Sequence, residues 1–112
     1  MQIQEKKIGR NLVVKPLDRR IDASVAAQFK GSIVDCINAG NTTIVLDLSN
    51  VEFIDSSGLG VIVSSLKTIG PTGDLVICAP RDAVMSLFRL TRMNRVFQIF
   101  GTEDEALNAL SK

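Results

Sequence analysis

The sequence predicts an α/β fold: a single domain with a mixed, mostly parallel sheet, an N-terminal antiparallel hairpin and about four helices. Three observations carry this. Short β-branched apolar runs alternate with stretches whose apolar residues recur at helical spacing. Two of the runs, TIVLDL (43–48) and DLVICA (74–79), are almost continuously apolar, as strands covered on both faces must be. The 112 residues, 46% of them hydrophobic, suffice for one core, and no repeat, low-complexity tract or Pro/Gly/Ser-rich linker divides them.

Each element has its own justification. Gln2 to Ile8 and Asn11 to Leu17 are β-compatible runs separated by Gly9-Arg10, which reads as a hairpin. From Ala23 to Ala39, Ala26, Phe29, Ile33, Cys36 and Ile37 recur at helical spacing, with Asp22 as candidate N-cap and Gly40 as C-terminal stop. Thr43 to Leu48 follows as a central strand. Leu59, Ile62, Val63, Leu66 and Ile69 then mark a second helix, which Gly70-Pro71 ends. Asp74 to Ala79 is the next buried strand, and Pro80 opens a helix whose Val84, Leu87, Phe88 and Thr91 share a face. Val96 to Phe100 reads as a last strand, and Thr102-Glu103-Asp104-Glu105 has the capping-box spacing that starts a helix through Ala106, Leu107 and Leu110. Strands alternating with helices imply right-handed crossovers and parallel pairing.

Composition removes several classes of function. A net charge of +1 gives no basic field for a phosphate backbone, and 4% aromatic residues offer few stacking platforms, so nucleic acid is not an expected partner. Cys36 and Cys78 are isolated in apolar surroundings and read as buried, reduced thiols rather than a disulfide or ligand pair. The start, MQIQEKKIGR, is charged, and no apolar stretch approaches the length of a bilayer span or a signal h-region. The expectation is a cytoplasmic chain with no membrane insertion.

The segment EFIDSSGLG (52–60) places an acid, two hydroxyls and two glycines between a strand-like and a helix-like run. A Ser-His-Asp arrangement is impossible, because the chain contains no histidine. No Gly-Lys-Ser/Thr follows the glycines, and the carboxylates are too scattered for a paired acid/base or metal site. The reading is therefore no enzyme, no cofactor and no metal. Structurally, Ser56 or Ser57 would cap the second helix, contributing about 1 kcal/mol. Chemically, a helix N-terminus also tolerates a phosphoryl group that most surface positions would repel, which suits Ser56 to be a switch.

The run IVLDLSNVEFIDSSGLGVIVSSLKTI resembles the signature of STAS domains, specifically bacterial anti-sigma-factor antagonists, in which a strand leads through Asp-Ser-Ser/Thr-Gly-Leu-Gly into a helix. The resemblance extends to LDRRIDASVAAQF upstream and VFQIFGTEDEAL at the end. It implies a partner that is both anti-sigma factor and serine kinase, which uses ATP to phosphorylate Ser56. A serine phosphatase would reverse the modification, and Asp22 and Asp55 match the acids beside the acceptor. One departure is Arg19, where the family often has glycine three residues before the acid matched by Asp22. The alternative that the resemblance allows is a STAS interaction subunit or scaffold of a transport or signalling assembly, without a phosphoswitch.

The second helix adds a clue independent of the motif. With Leu59, Ile62, Val63 and Leu66 on the core face, Ser57, Gly60, Val61, Ser64 and Thr68 fall opposite, and Lys67 is the only charge across residues 56 to 70. Small side chains there would let a partner approach closely. The expected partner surface is Asp22, Asp55, Ser57, Gly58, Gly60, Val61 and Ser64 around Ser56.

Overall fold

A computed structural model describes residues 1–111 and gives the element order. Strands β1 (Ile3–Ile8) and β2 (Asn11–Pro16) form the hairpin, and a two-residue strand β3 (Arg20–Ile21) precedes helix α1 (Ala26–Asn38). Strands β4 (Thr43–Asp47) and β5 (Phe53–Ile54) lead to helix α2 (Ser56–Ile69). Strand β6 (Asp74–Cys78), helix α3 (Asp82–Leu90), a 3-10 turn at Met93–Arg95, strand β7 (Ile99–Phe100) and helix α4 (Glu103–Leu110) complete the chain. The main sheet has the order β1-β2-β4-β6-β7, with β1 antiparallel to β2 and the remaining pairings parallel. This is the expected single α/β domain.

The alternation of side chains along the strands assigns the layers. On one face, Leu12, Val14, Ile44, Leu46, Leu75 and Ile77 pack with Phe29 and Ile33 of α1, Ile62 of α2, and Val84 and Phe88 of α3. On the other, Val13, Val45, Val76 and Cys78 meet Ala106 of α4. Three successive crossovers, β2-α1-β4, β4-α2-β6 and β6-α3-β7, advance across the sheet in one direction, and all three helices pack on the same side. Cys36 and Cys78 are free and buried, as expected, and burial pushes both thiols up to about 12.

Helix α3 starts at Asp82 rather than Pro80, and three larger features differ from the sequence expectation. Helix α1 begins at Ala26, and Val25 rather than Asp22 holds the N-cap position, without a side-chain cap. Asp22 instead bends the chain ahead of the helix: its Oδ1 accepts from Ser24 N at 3.0 Å, and its carbonyl accepts from Val25 N at 3.1 Å. Only Ile99–Phe100 of the expected last strand pairs with β6. Val96 is 52% exposed, and Phe97 turns inward against Phe88, ring centroids 6.1 Å apart and nearly edge-on. The third difference is a second sheet. Strands β3 and β5 pair in parallel, Arg20 opposite Phe53 and Ile21 opposite Ile54, away from the main sheet.

Candidate functional site at the start of helix α2

The small sheet delivers the chain to the DSSGLG segment. Ile21 and Ile54 are both buried, so the β3–β5 pair is anchored in the core while its outer residues, Arg20 and Phe53, stack at 4.5 Å. The backbone of Asp55 continues the pairing, its N–H donating to the Ile21 carbonyl at 3.2 Å. The chain then turns into α2.

Asp55, not either serine, caps that helix. Its Oδ1 accepts from Gly58 N at 3.0 Å, and its backbone is extended, as the cap position requires. Its Oδ2 accepts from Ala23 N at 3.2 Å, which ties the turn before α1 to the start of α2. Asp22 and Asp55 thus hold adjacent backbone donors, Ser24 N and Ala23 N. The two acids meet around one turn and act as its braces. Hydrogen bonds from the Ser24 hydroxyl and N–H hold the Asp22 carboxyl below the usual carboxylate range, with Arg20 Nε, 3.8 Å away, adding to the effect.

With Asp55 as cap, Ser56 and Ser57 occupy the first two helical positions, and both are exposed. Neither hydroxyl makes a hydrogen bond among the described residues. The expectation that a serine caps α2 is therefore corrected, and the correction leaves the Ser56 hydroxyl chemically available. Gly58 is required by close approach: a Cβ there would stand 2.7 Å from the Ile21 carbonyl oxygen and 2.7 Å from Ile54.

The far side of α2 is largely as the helical spacing predicts. Ser57, Gly60 and Thr68 are exposed and Ser64 is half-buried. Val61 is the exception, only 7% exposed and part of the main core. The buried arc runs through Gly58, Leu59, Val61, Ile62, Ser65 and Ile69, wider than one apolar stripe, because α1 covers a flank of α2 as well as the sheet. Ser65 is tolerated inside because its hydroxyl donates to the Val61 carbonyl at 2.7 Å. Val61 and Gly58 are thus removed from the expected contact surface, since neither offers an exposed side chain.

The opposite flank of α2 is open. Ser56, Leu59, Gly60, Val63, Ser64 and Lys67 form one side of a shallow groove of about 430 Å³, and Thr91 and Met93 form the other. No periodicity in the sequence marks this wall, because it depends on the turn after α3. That turn has Arg92 in the left-handed region (φ 61) and then the 3-10 segment. Arg19, at the position of departure from the family pattern, is exposed, lies 3.5 Å from Glu52, and accepts from Glu52 N and Phe53 N through its carbonyl. The arginine side chain is therefore accommodated in solvent, beside backbone that the β3–β5 approach uses.

Comparison with known proteins agrees with this architecture. The STAS domain family model matches residues 2–106. A candidate anti-sigma factor antagonist of Thermotoga maritima is 33% identical over 108 residues, covering 95% of this chain and 96% of the relative. A crystal structure of such a protein from the same organism superposes with a TM-score of 0.91 at 31% identity, covering 98% of this chain and 95% of that one. The anti-sigma factor antagonist SpoIIAA has the same fold in its unphosphorylated form, with a TM-score of 0.78 at 23% identity and coverage of 98% and 96%. In its phosphorylated form it gives 0.74 at 21%, with coverage of 97% and 99%. From a mixed sheet with three helices on one face, a DSSGLG turn into α2 and a family match over nearly its whole length, the chain belongs to the STAS domain family, among the bacterial anti-sigma factor antagonists.

Proposed function

We propose that this protein is a phosphoswitch: unphosphorylated, it binds a serine-kinase-type anti-sigma factor and so frees a sigma factor, and phosphorylation of Ser56 by that partner weakens the complex. A serine phosphatase resets it, and the cycle runs in the cytoplasm. The observation that carries the reading is the free Ser56 hydroxyl at the first position of α2, with Asp55 already serving as the cap. A phosphoryl group there meets the positive end of the helix dipole, and no internal hydrogen bond need break to make room for it. The fold tolerates the modification, so its effect falls on the docking surface. That surface is Ser56, Ser57, Gly60 and Ser64, with Asp22 and Asp55 shaping its edge.

The change demanded of the phosphate is modest. A tenfold loss of affinity corresponds to about 1.4 kcal/mol, within reach of added charge and bulk at a desolvated edge. The test is calorimetric titration of an anti-sigma kinase with wild type, stoichiometrically phosphorylated wild type, Ser56→Ala and Ser64→Arg. Ser56→Ala is expected to bind persistently and to resist the kinase, and the phosphorylated protein to bind at least about tenfold more weakly. Ser64→Arg should weaken binding with the fold intact. Equal affinity of the modified and unmodified proteins would overturn the switch and leave a constitutive scaffold.

A further inference from the structure

We infer that the groove between α2 and the Thr91–Met93 turn is a docking cleft for an acidic amphipathic segment of the partner. The inference rests on the α2 surface proposed above and specifies the chemistry it accepts. Along the groove, Leu59, Val63 and Met93 supply apolar contact and Gly60 keeps the floor low. From Ser56 to Lys67 the α2 side spans twelve residues, roughly 16 Å or three helical turns, the length over which a partner helix lays one apolar stripe into a groove.

The lining of this cleft carries one charged side chain, the cation Lys67. No Asp or Glu occurs between Asp82 and Glu103, whereas Arg89, Arg92 and Arg95 all fall in that interval and are all exposed. Arg92 stands between the two wall residues Thr91 and Met93, and Lys67 lies in the groove itself. None of these four cations pairs with a carboxylate among the described residues, where the ion pairs are Lys6–Glu103, Arg19–Glu52 and Arg20–Asp22. Leu90, 83% exposed at the end of α3, adds apolar surface to the same turn. A groove with an apolar floor and unpaired cations on its rim is complementary to a helix with leucine-type side chains on one face and carboxylates flanking them.

This also gives the switch a sign. Ser56 stands at one end of the groove, so a phosphate there places negative charge in the path of an acidic occupant, and like-charge repulsion adds to its bulk.

The test uses a synthetic amphipathic peptide of about 14 residues, with leucine on one face and glutamate elsewhere, and a matched peptide with lysine replacing each glutamate, the length being set by three to four helical turns. Both are titrated into the isotope-labelled protein and followed by backbone amide shifts. The glutamate peptide is expected to shift Gly60, Ser64 and Met93 and to bind about tenfold more weakly to Lys67→Glu and to Arg92→Glu, each checked for native circular dichroism. It should also lose affinity at high salt and on Ser56 phosphorylation, and the lysine peptide should leave the groove unshifted. Equal binding of the two peptides, shifts confined to other surfaces, or no binding by the glutamate peptide would overturn the inference. If selective peptide binding stands while the anti-sigma kinase ignores Ser56 phosphate, the cleft is supported and the phosphoswitch fails. If the kinase responds to phosphate but the glutamate peptide does not bind, the reverse holds.

Discussion

Gly58 and Gly60 stand two residues apart on one helix, and their surroundings are opposite. A Cβ at Gly58 would press into the Ile21 carbonyl and the Ile54 side chain, each 2.7 Å away, whereas a Cβ at Gly60 would meet nothing within 4 Å. The same residue type therefore serves two purposes. At Gly58 it lets α2 settle on the small β3–β5 sheet; at Gly60 it keeps the surface low beside an open groove. Val61 and Ser64 repeat the contrast, one buried in the core and one half-exposed on the groove side. One flank of α2 is fixed by packing, and the other is kept clear.

Four changes separate the flanks, from the largest effect to the smallest. Gly58→Ala should destabilise the domain by about 1–3 kcal/mol, because the obstacle includes backbone that cannot swing aside. Chemical denaturation should show a lower midpoint, and an unchanged one would mean that α2 lifts off the small sheet without cost. Asp55→Ala removes the cap and the brace to Ala23, an expected loss of about 1 kcal/mol, with faster amide exchange at Gly58 and Ala23. Gly60→Ala should act in the other direction, raising stability by about 0.5–1 kcal/mol through helix propensity alone. A destabilised Gly60→Ala would show that the groove side is as tightly packed as the core side.

The smallest effect is titration of Asp22. Its folded carboxyl titrates below the unfolded value, so its contribution is fully present above the unfolded pKa and fades as pH falls through the lowered folded value. Ser24→Ala removes the principal donor and should move the carboxyl resonance midpoint upward toward the ordinary carboxylate range. The stability difference between this variant and wild type should therefore close in acid. A midpoint that does not move would assign the depression to the N–H of residue 24, which the variant retains, and to Arg20.

The elements legible in the sequence were those whose signals are local. Gly70 could be read as the end of α2 because a stop at positive φ, here 78°, favours glycine whatever surrounds it. Thr102 could be read as the cap of α4, and its Oγ1 does accept from Glu105 N at 3.1 Å. Strands β3 and β5 were not legible, since two residues carry no period and their pairing depends on partners far along the chain. Asp22 misled for a related reason: an acid ahead of a helical pattern satisfies the cap rule, but its oxygen bonded within the preceding turn first. For Val61 the spacing of apolar residues allowed more than one buried arc, and the position of α1 settled which was used. The DSSGLG motif identified Ser56, while the wall opposite it came from a left-handed Arg92 that no periodicity encodes.

The hydrogen bond from Ala23 to Asp55 joins residues 32 apart in sequence. Closing a loop of that size costs roughly 3 kcal/mol of chain entropy before the contact returns anything. The intervening segment contains α1 and β4, so ordering the first helix and the central strand shortens the loop that the Asp55 brace has to close. A nascent or damaged molecule carries the same six letters, DSSGLG, but lacks the turn that displays them. The display of the serine thus belongs to the folded chain, and a partner that reads the braced turn rather than the bare peptide would count folded copies of the protein.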